Sequence, residues 1–145
     1  MSNTVTIVTS NDLVAANMYL LKAKAPEMAG SARPGQFMMV RCSQGLDPLL
    51  GRPLSVHGAK EHGDQANISL LFEVRGRGTA WLAQRQPGDA LAMTGPWGQG
   101  FKVSARSRNL LLVGGGLGVA GITHLAHQAT GTGRAVVMLL GARTA

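Results

Sequence analysis

Three short segments combine glycine, arginine and hydroxyl side chains at spacings that suit a phosphate group. The first is GGGLGVAG at residues 114–121, where Gly116, Gly118 and Gly121 have the spacing Gly-x-Gly-x-x-Gly. Glycines in such a turn allow the main chain to approach a ligand closely, and the N–H groups at the start of the following helix attract phosphate. The segment suits a nucleotide site and, equally, a tight packing turn between a strand and a helix.

Two features narrow the class of nucleotide that this turn could bind. No lysine follows the glycines, which excludes a triphosphate-binding P-loop. The acidic residue that dinucleotide-binding proteins often carry at the end of the next strand is missing from VVMLLGARTA, the last ten residues. The glycine spacing alone therefore does not identify the nucleotide.

The second segment is RGRGT at residues 75–79. Gly76, Gly78 and Thr79 precede a predicted short helix, so they offer main-chain donors and a hydroxyl group beside the positive charges of Arg75 and Arg77. This arrangement predicts a pyrophosphate cradle. An ordinary capped helix start is the alternative.

The third segment is RPLS at residues 52–55, which begins a predicted strand. The guanidinium of Arg52 can bind phosphate as a two-pronged fork. Pro53 lacks a main-chain donor and therefore predicts a bent or edge position. The hydroxyl of Ser55 can meet a heteroaromatic nitrogen. A surface arginine followed by an edge-strand proline would give the same sequence.

The number and spacing of the cysteine and histidine residues argue against a metal-binding site. A single cysteine, Cys42, excludes a disulfide within the chain and a multi-cysteine cluster, so a buried apolar role on a strand is expected. His124 and His127 are three residues apart on a predicted helix without a carboxylate or cysteine companion, which argues against a metal site. His57 and His62 flank a predicted turn and are expected to be solvated.

The elements that must position these segments fall into two groups. Alternating or β-branched segments predict six strands before residue 104, and the turns ARPGQ and EHGDQA separate some of them. In the fifth strand, Ile68, Leu70, Phe72 and Val74 share the core face. A short helix capped by Thr79 follows this strand. The whole predicts a small antiparallel barrel. The six strands are TVTIVTS, MYLLKAKAP ending at Pro26, QFMMVRCS, RPLSVHGAK, NISLLFEVRG and ALAMTGP.

The pattern changes after about residue 105. NLLLVGGG and RAVVMLLGAR are continuous apolar segments, typical of strands covered on both faces, and LGVAGITHLAHQATG between them predicts a helix closed by Gly131. This order predicts a βαβ unit with parallel strands. Two strands and one helix cannot cover both faces of a parallel sheet, so residues 105–145 are expected to be the beginning of an α/β domain.

Composition and charge narrow the class of partner. The chain has 145 residues, a net charge of +7 and a pI near 10.8, which would suit nucleic acid. The basic residues are scattered, however, and only 4% of residues are aromatic, so no stacking surface is expected and nucleic-acid binding is disfavoured. No signal peptide or membrane-spanning run is evident, and a cytoplasmic protein is expected.

The order of the motifs resembles a known family. The segments PGQFMMVR, DPLLGRPLSVH, LLFEVRGRGTAWLA, PGDALAMTGPWGQGF and NLLLVGGGLGVAGITHLA follow one another as in the ferredoxin-reductase superfamily. Within it they are most similar to the electron-transfer subunits of dihydroorotate dehydrogenase. The resemblance implies an FAD-binding β-barrel domain at residues 1–104, followed by a partial NAD-binding α/β domain at residues 105–145.

The resemblance also implies roles for individual residues. Arg52 would face the FAD pyrophosphate, Pro53 and Leu54 would pack at the isoalloxazine ring, and Ser55 would approach the flavin N5. Further flavin contacts are expected at Leu71, Phe72 and Glu73, and pyrophosphate contacts at Gly78 and Thr79. NAD is expected near Gly115 and Gly116. No catalytic side chain and no metal ligand is expected in this chain.

Three departures from the family pattern affect these expectations. Family members continue into a cysteine-rich segment that holds a 2Fe–2S cluster, and Cys42 cannot replace it. Gly121 stands where the glycine motif usually closes with proline. Glu73 stands where a basic residue is common, so a contact with the flavin through its main chain alone is expected.

The resemblance implies a flavin- and NAD-linked oxidoreductase subunit of pyrimidine biosynthesis. Such a subunit passes electrons between NAD(H) and a catalytic dehydrogenase subunit in a hetero-oligomer, and this chain is expected not to be fully active alone. Alternatives are a reductase subunit of the sulfite, glutamate synthase or ferredoxin:NADP type, and an interaction domain that has lost flavin.

Overall fold

The computed structural model describes residues 4–61, 63 and 66–143 and contains eight strands and three α-helices in that part of the chain. The predicted turn EHGDQA and His62 fall wholly or partly outside the described residues. In chain order the elements are β1 (Thr4–Ala15), β2 (Met18–Lys24), α1 (Pro26–Ser31), β3 (Phe37–Val40), β4 (Arg52–Lys60), β5 (Asn67–Glu73), α2 (Arg77–Ala83), β6 (Ala90–Trp97), β7 (Asn109–Gly115), α3 (Val119–Gly131) and β8 (Ala135–Gly141).

The first six strands form a closed antiparallel barrel. Their order around it is β1-β2-β5-β4-β3-β6, and every neighbouring pair runs antiparallel. Closure removes the exposed strand edges that would otherwise pair with other chains. The predicted antiparallel barrel is confirmed.

Side chains that alternate along the strands fill the barrel. Ile68, Leu70 and Phe72 of β5 are fully buried, as the alternation predicts, and Phe72 stacks on Tyr19 with 5.7 Å between the ring centroids. On β3, Met38 and Val40 point inward, and Cys42 beyond the strand is also fully buried. Leu71 was predicted on the opposite face of β5, and it too is buried, because α3 and the turn before it cover the outside of β5.

Two elements differ from the sequence prediction. Pro26, expected only to end β2, is at the first turn of α1, where its missing N–H costs no hydrogen bond. Met28 and Ala29 of this short helix pack into the core. β1 continues to Ala15 instead of ending near Ser10, because register shifts let it bend and keep pairing with β2.

The βαβ unit follows the barrel. β7 and β8 pair in parallel, from Asn109 opposite Ala135 to Gly115 opposite Gly141. A 3-10 turn at Gly116–Gly118 connects β7 to α3, which packs against β7, β8 and also β4 of the barrel. The sheet face of Leu111, Val113, Val137 and Leu139 is more than half exposed. Within the described residues, no helix is long and apolar enough to span a membrane.

Truncation inside the barrel tests which side chains hold it together. Leu70→Ala removes a fully buried side chain and leaves a cavity, so we expect the free energy of unfolding to fall by about 2–5 kcal/mol. Leu46→Ala is the matched control, because Leu46 is 77% exposed and its loss should change stability by less than about 0.5 kcal/mol. Urea denaturation measures both. Equal effects would contradict the assignment of the core.

Candidate functional site

The candidate site is a groove formed where β4 changes its pairing partner. Residues 52–55 of β4 pair with β3, whereas pairing between β4 and β5 begins at Val56, opposite Leu70. Residues 71–73 of β5 pair with β2 on their other side. The start of β4 and the end of β5 therefore diverge without pairing to each other. Two of the predicted segments, 52–55 and 71–73, lie along the two sides of this opening.

Pro53 occupies a place in β4 where a missing N–H costs little. The N–H of Val56 donates to the carbonyl of Gln36 on the β3 side, at 2.9 Å. Because donors alternate sides along an antiparallel strand, the nitrogen of Pro53 points toward the groove and the main-chain N–H of Ser55 does the same. Pro53 was predicted at a bent or edge position of its strand. The barrel is closed, but Pro53 lies at a local edge because β4 is not paired with β5 along the groove.

Arg52 crosses the end of the groove and meets α2. A Cβ atom on Gly78 would lie 3.2 Å from Nε of Arg52 and 3.2 Å from Cβ of Cys42, so the glycine leaves the space that the guanidinium occupies. Nη1 of Arg52 donates to the carbonyl of Leu50 at 2.8 Å. Arg52 and Gly78, which are 26 positions apart in sequence, are therefore in contact.

Cys42 forms the floor beneath this contact. Its side chain is fully buried, and burial raises the pKa of the thiol, while the nearby charge of Arg52 opposes that rise. The thiol is therefore neutral near pH 7 and acts as an apolar packing group. The predicted buried role of Cys42 is confirmed. Its contact with the candidate phosphate segment was not predicted.

The start of α2 differs in one detail from the prediction. Thr79 was predicted to cap the helix from the N-cap position, but Gly76 occupies that position and Thr79 is the third helical residue. The hydroxyl of Thr79 reaches back and accepts hydrogen bonds from the N–H groups of Arg75 and Gly76, at 2.9 and 3.2 Å. The side chain thus fixes the RGRGT turn from within the helix.

The charged side chains around the turn are paired. Glu73 accepts from Nε of Arg75 at 2.8 Å, and this ion pair keeps the carboxylate charge balanced beside the groove. Arg77 is paired with Asp47 in the loop before β4. Arg52 therefore differs from Arg75 and Arg77, because its guanidinium bonds only to carbonyl groups among the described residues.

Side-chain direction separates the predicted contact residues into two groups. Leu54 and Phe72 point into the barrel core, and Leu71 is also buried, so these three present mainly their main chain to the groove. Pro53 and Ser55 are exposed on the outer face of β4. Of the five apolar or hydroxyl residues predicted to contact the flavin ring, only Pro53 and Ser55 can therefore contact a ligand with their side chains.

The glycine turn lies beside the groove. Gly115 ends β7, and Gly116 begins the 3-10 turn with a φ of 52°, a conformation that favours glycine. Both are exposed. Gly121 in α3 lies directly over β4, where an added Cβ would be 3.9 Å from both Cβ and Oγ of Ser55. Tertiary structure thus brings the predicted nucleotide turn next to the predicted flavin segment.

Two histidines lie between the barrel and α3, and the prediction that His57 is solvated is wrong. Nδ1 of His57 and Nδ1 of His124 are both buried, and neither has a hydrogen-bond partner in the described part of the chain. The sequence carries no local signal for this, because the burial comes from a long-range contact with α3 and the pairing register of β4 is irregular between Val56 and Gly58. No group of three metal-binding side chains occurs among residues 4–61, 63 and 66–143.

Comparison with known proteins shows which proteins this chain resembles in sequence. No protein-family model matches the chain. The chain is 39% identical over 131 residues to the dihydroorotate dehydrogenase B (NAD(+)) electron transfer subunit of Desulforamulus reducens, and 40% identical over 139 residues to that of Bacillus caldolyticus. These alignments cover 90% and 94% of the chain, and 49% and 53% of the two relatives. The chain spans about half the length of the curated relatives it matches.

The chain is similar in sequence to these electron transfer subunits. Its fold is ferredoxin-reductase-like, as solved structures show. An NADH-dependent reduced ferredoxin-NADP oxidoreductase matches 99% of the chain, and 50% of its own, with a TM-score of 0.84 and 26% identity. A ferredoxin NADP+ reductase from Neisseria gonorrhoeae, solved with bound FAD and NADP, matches 97% of the chain and 57% of its own, with a TM-score of 0.76 and 19% identity. The predicted family resemblance is confirmed.

The hydroxyl of Thr79 provides a test of how the RGRGT turn is held. Thr79→Val keeps the shape but removes the acceptor for two N–H groups, so we expect a loss of about 1 kcal/mol in the free energy of unfolding. Thr79→Ser keeps the hydroxyl and should retain most of that stability. Chemical denaturation of both variants measures the difference. Equal stability of the two variants would show that the hydroxyl does not hold the turn.

Proposed function

We propose that the groove between β4 and β5 binds FAD, that the glycine turn binds the nicotinamide nucleotide NAD(H), and that the chain serves as the flavin-binding part of an electron-transfer subunit. The observation that carries this proposal is the contact between Arg52 and Gly78 at the end of an unpaired opening in the barrel. The names of the relatives and the fold support the same function.

The residues present suit a pyrophosphate group. The guanidinium of Arg52 has five N–H donors, and among the described residues only Nη1 is engaged, by the carbonyls of Leu50 and Gly51. Gly78 keeps side-chain bulk away from the start of α2, and Thr79 holds the turn in place. We propose that Arg52, Gly78 and Thr79 together hold the phosphates, with Arg52 supplying the charge.

The residues along the groove suit a flat ring. Pro53 and Ser55 offer exposed side chains, while Leu54, Leu71, Phe72 and Glu73 offer main-chain groups where the two strands have separated. The main-chain N–H of Ser55 and its hydroxyl are both available to hydrogen-bond a ring nitrogen. The carboxylate of Glu73 is held by Arg75 and so does not repel the phosphates as a bare charge would.

The nicotinamide side is proposed at Gly115 and Gly116. Gly121 brings the start of α3 over Ser55, and this proximity would let two bound rings meet. When bound, flavin would supply the redox chemistry that links a two-electron donor to one-electron acceptors, and the residues of the chain would orient the two groups. We further propose the division into an FAD-binding domain at 1–104 and part of an NAD-binding domain at 105–145.

The relatives' names support a proposal for the physiological role. We propose that the chain passes electrons between NAD(H) and a dihydroorotate dehydrogenase subunit, in the cytoplasm and within pyrimidine biosynthesis. A 2Fe–2S cluster does not fit the described residues, because Cys42 is their only cysteine and is buried.

The test of flavin binding compares two arginine variants. Arg52→Ala should weaken FAD binding by about ten- to a hundredfold, because a charge-assisted hydrogen bond to phosphate is lost. Arg106→Ala is the matched control, since Arg106 is exposed in the segment between β6 and β7 and should leave FAD binding unchanged. Fluorescence quenching of FAD on titration with each protein measures the dissociation constants.

The visible absorbance of the purified chain tests the proposed flavin binding directly. The purified chain should show visible flavin absorbance, either as isolated or after incubation with FAD, and the extracted flavin should be FAD. A protein that stays colourless after incubation would contradict the proposal. Equal FAD affinity of the two arginine variants would contradict the placement of the pyrophosphate at Arg52.

A further inference from the structure

The contact between the barrel and α3 contains polar groups that the proposed function does not use. α3 packs on β4, with Gly121 over Ser55. His57 lies two residues beyond Ser55 on the same strand and adjoins the main chain of Ala120 at the start of α3. His57 is therefore next to the place where the glycine turn and the groove meet.

The second histidine of this contact comes from the helix. His124 is 8% exposed, and its Nδ1 atom is buried without a hydrogen-bond partner among the described residues, as is Nδ1 of His57. A buried polar atom without a hydrogen-bond partner lowers the stability of the folded protein. Such atoms are rare in native structures and usually have a specific role. Two such atoms therefore lie in one contact, one contributed by β4 and one by α3.

Other titratable groups surround the pair at its outer end. A cleft of about 500 Å³ is lined by Lys60 and Glu61 at the end of β4, by His124 and His127 of α3, and by uncharged residues that include Ala32 after α1. His127 and Lys60 are exposed. The cleft gives water and protons a path from the surface to His124.

The surroundings favour neutral imidazoles when the contact is closed. Burial lowers the pKa of His57 below its ordinary value of 6.5; the main chain of Ala120 opposes this and His127 reinforces it. Burial likewise lowers the pKa of His124, reinforced by the charges of His127 and His57 and opposed by Glu61. Protonation of one histidine therefore disfavours protonation of the other, and both protonate more readily when α3 moves away.

We propose that His57 and His124, with His127 at the rim, act as positioning residues that hold α3 and its glycine turn over Ser55, and that acidification loosens this contact. The closed contact binds fewer protons than the open one. Its stability is full above the ordinary histidine pKa and is lost as the pH falls through that value toward the lowered values of the closed state.

The consequence for electron transfer rests on the proposed function. If flavin lies at Ser55 and nicotinamide at Gly116, loosening the contact separates the two rings, and hydride exchange between them slows in acid. The contact itself exists without either ligand. The test of this proposal therefore measures the structure of the contact. A negative result would not bear on the proposal that flavin binds at Arg52.

The experiment measures amide hydrogen exchange in the full chain at about pH 7.5 and about pH 5, on either side of the ordinary histidine pKa. Rates are corrected for the intrinsic pH dependence and referred to amides of β1 and β2. We expect protection of α3, relative to these strands, to fall on acidification by at most about tenfold per pH unit for each proton taken up. Unchanged relative protection would overturn the proposal.

Variants identify the groups responsible. The double variant His57→Gln, His124→Gln keeps polar side chains of similar length but cannot titrate, so the acid-induced loss of α3 protection should disappear. Gln128→Ala is the matched control, because it changes a non-titrating residue that lines the same cleft, and it should lose protection as the unmodified chain does. An acid-induced loss that persists in the double variant would overturn the proposal.

A measurement on the unmodified chain covers the case in which the double variant does not fold. Nitrogen resonances of the imidazoles, followed by NMR from neutral to acid pH, should give midpoints below 6.5 for His57 and His124. Amide resonances around Ala120 should shift with the same midpoints. Amide shifts that do not follow the histidine midpoints would contradict a positioning role.

Discussion

A single constraint on β4 shapes the candidate site. The strand pairs with β3 at its start and with β5 at its end, and through these two pairings it links β3 to β5 in the closed six-stranded barrel. Where the partners change, β4 and β5 separate and their main-chain groups on the facing sides are unpaired. A barrel that was regular throughout would have no such opening. The core strands and the candidate ligand groove are thus products of the same pairing pattern.

The groove depends on the packing of small groups as much as on charge. Arg52 reaches the start of α2 because Gly78 has no side chain and because Cys42 beneath it is compact and neutral. Thr79 then holds the loop that carries Gly76 by accepting two of its N–H groups. A positively charged guanidinium is thereby placed beside a fixed helix start. Arg75 and Arg77 are paired with carboxylates, whereas Arg52 bonds only to carbonyl groups among the described residues.

The second unit is positioned by its helix more than by its sheet. α3 contacts β4 of the barrel, whereas the outer face of β7 and β8 is exposed. Through Gly121, the helix brings the glycine turn to Ser55, and the Nδ1 atoms of His57 and His124 are buried in the same contact. The relative placement of the two candidate ligand sites therefore depends on one helix–strand interface that contains unsatisfied imidazoles.

Local sequence patterns determined the barrel, the βαβ unit and the segments of the candidate site. Alternation, apolar runs and Gly-Pro turns are properties of neighbouring residues, so they identify strands such as β5 without knowledge of the fold. They did not predict α1, because Pro26 is compatible with both a strand end and a helix start. They misassigned Thr79 as an N-cap and His57 as solvated. Tertiary structure alone decided that Arg52 contacts Gly78, that α3 buries Leu71 on the outside of β5, and that Gly121 covers Ser55. These contacts join residues far apart in the chain, and their geometry depends on strand register and closure, which no local pattern encodes.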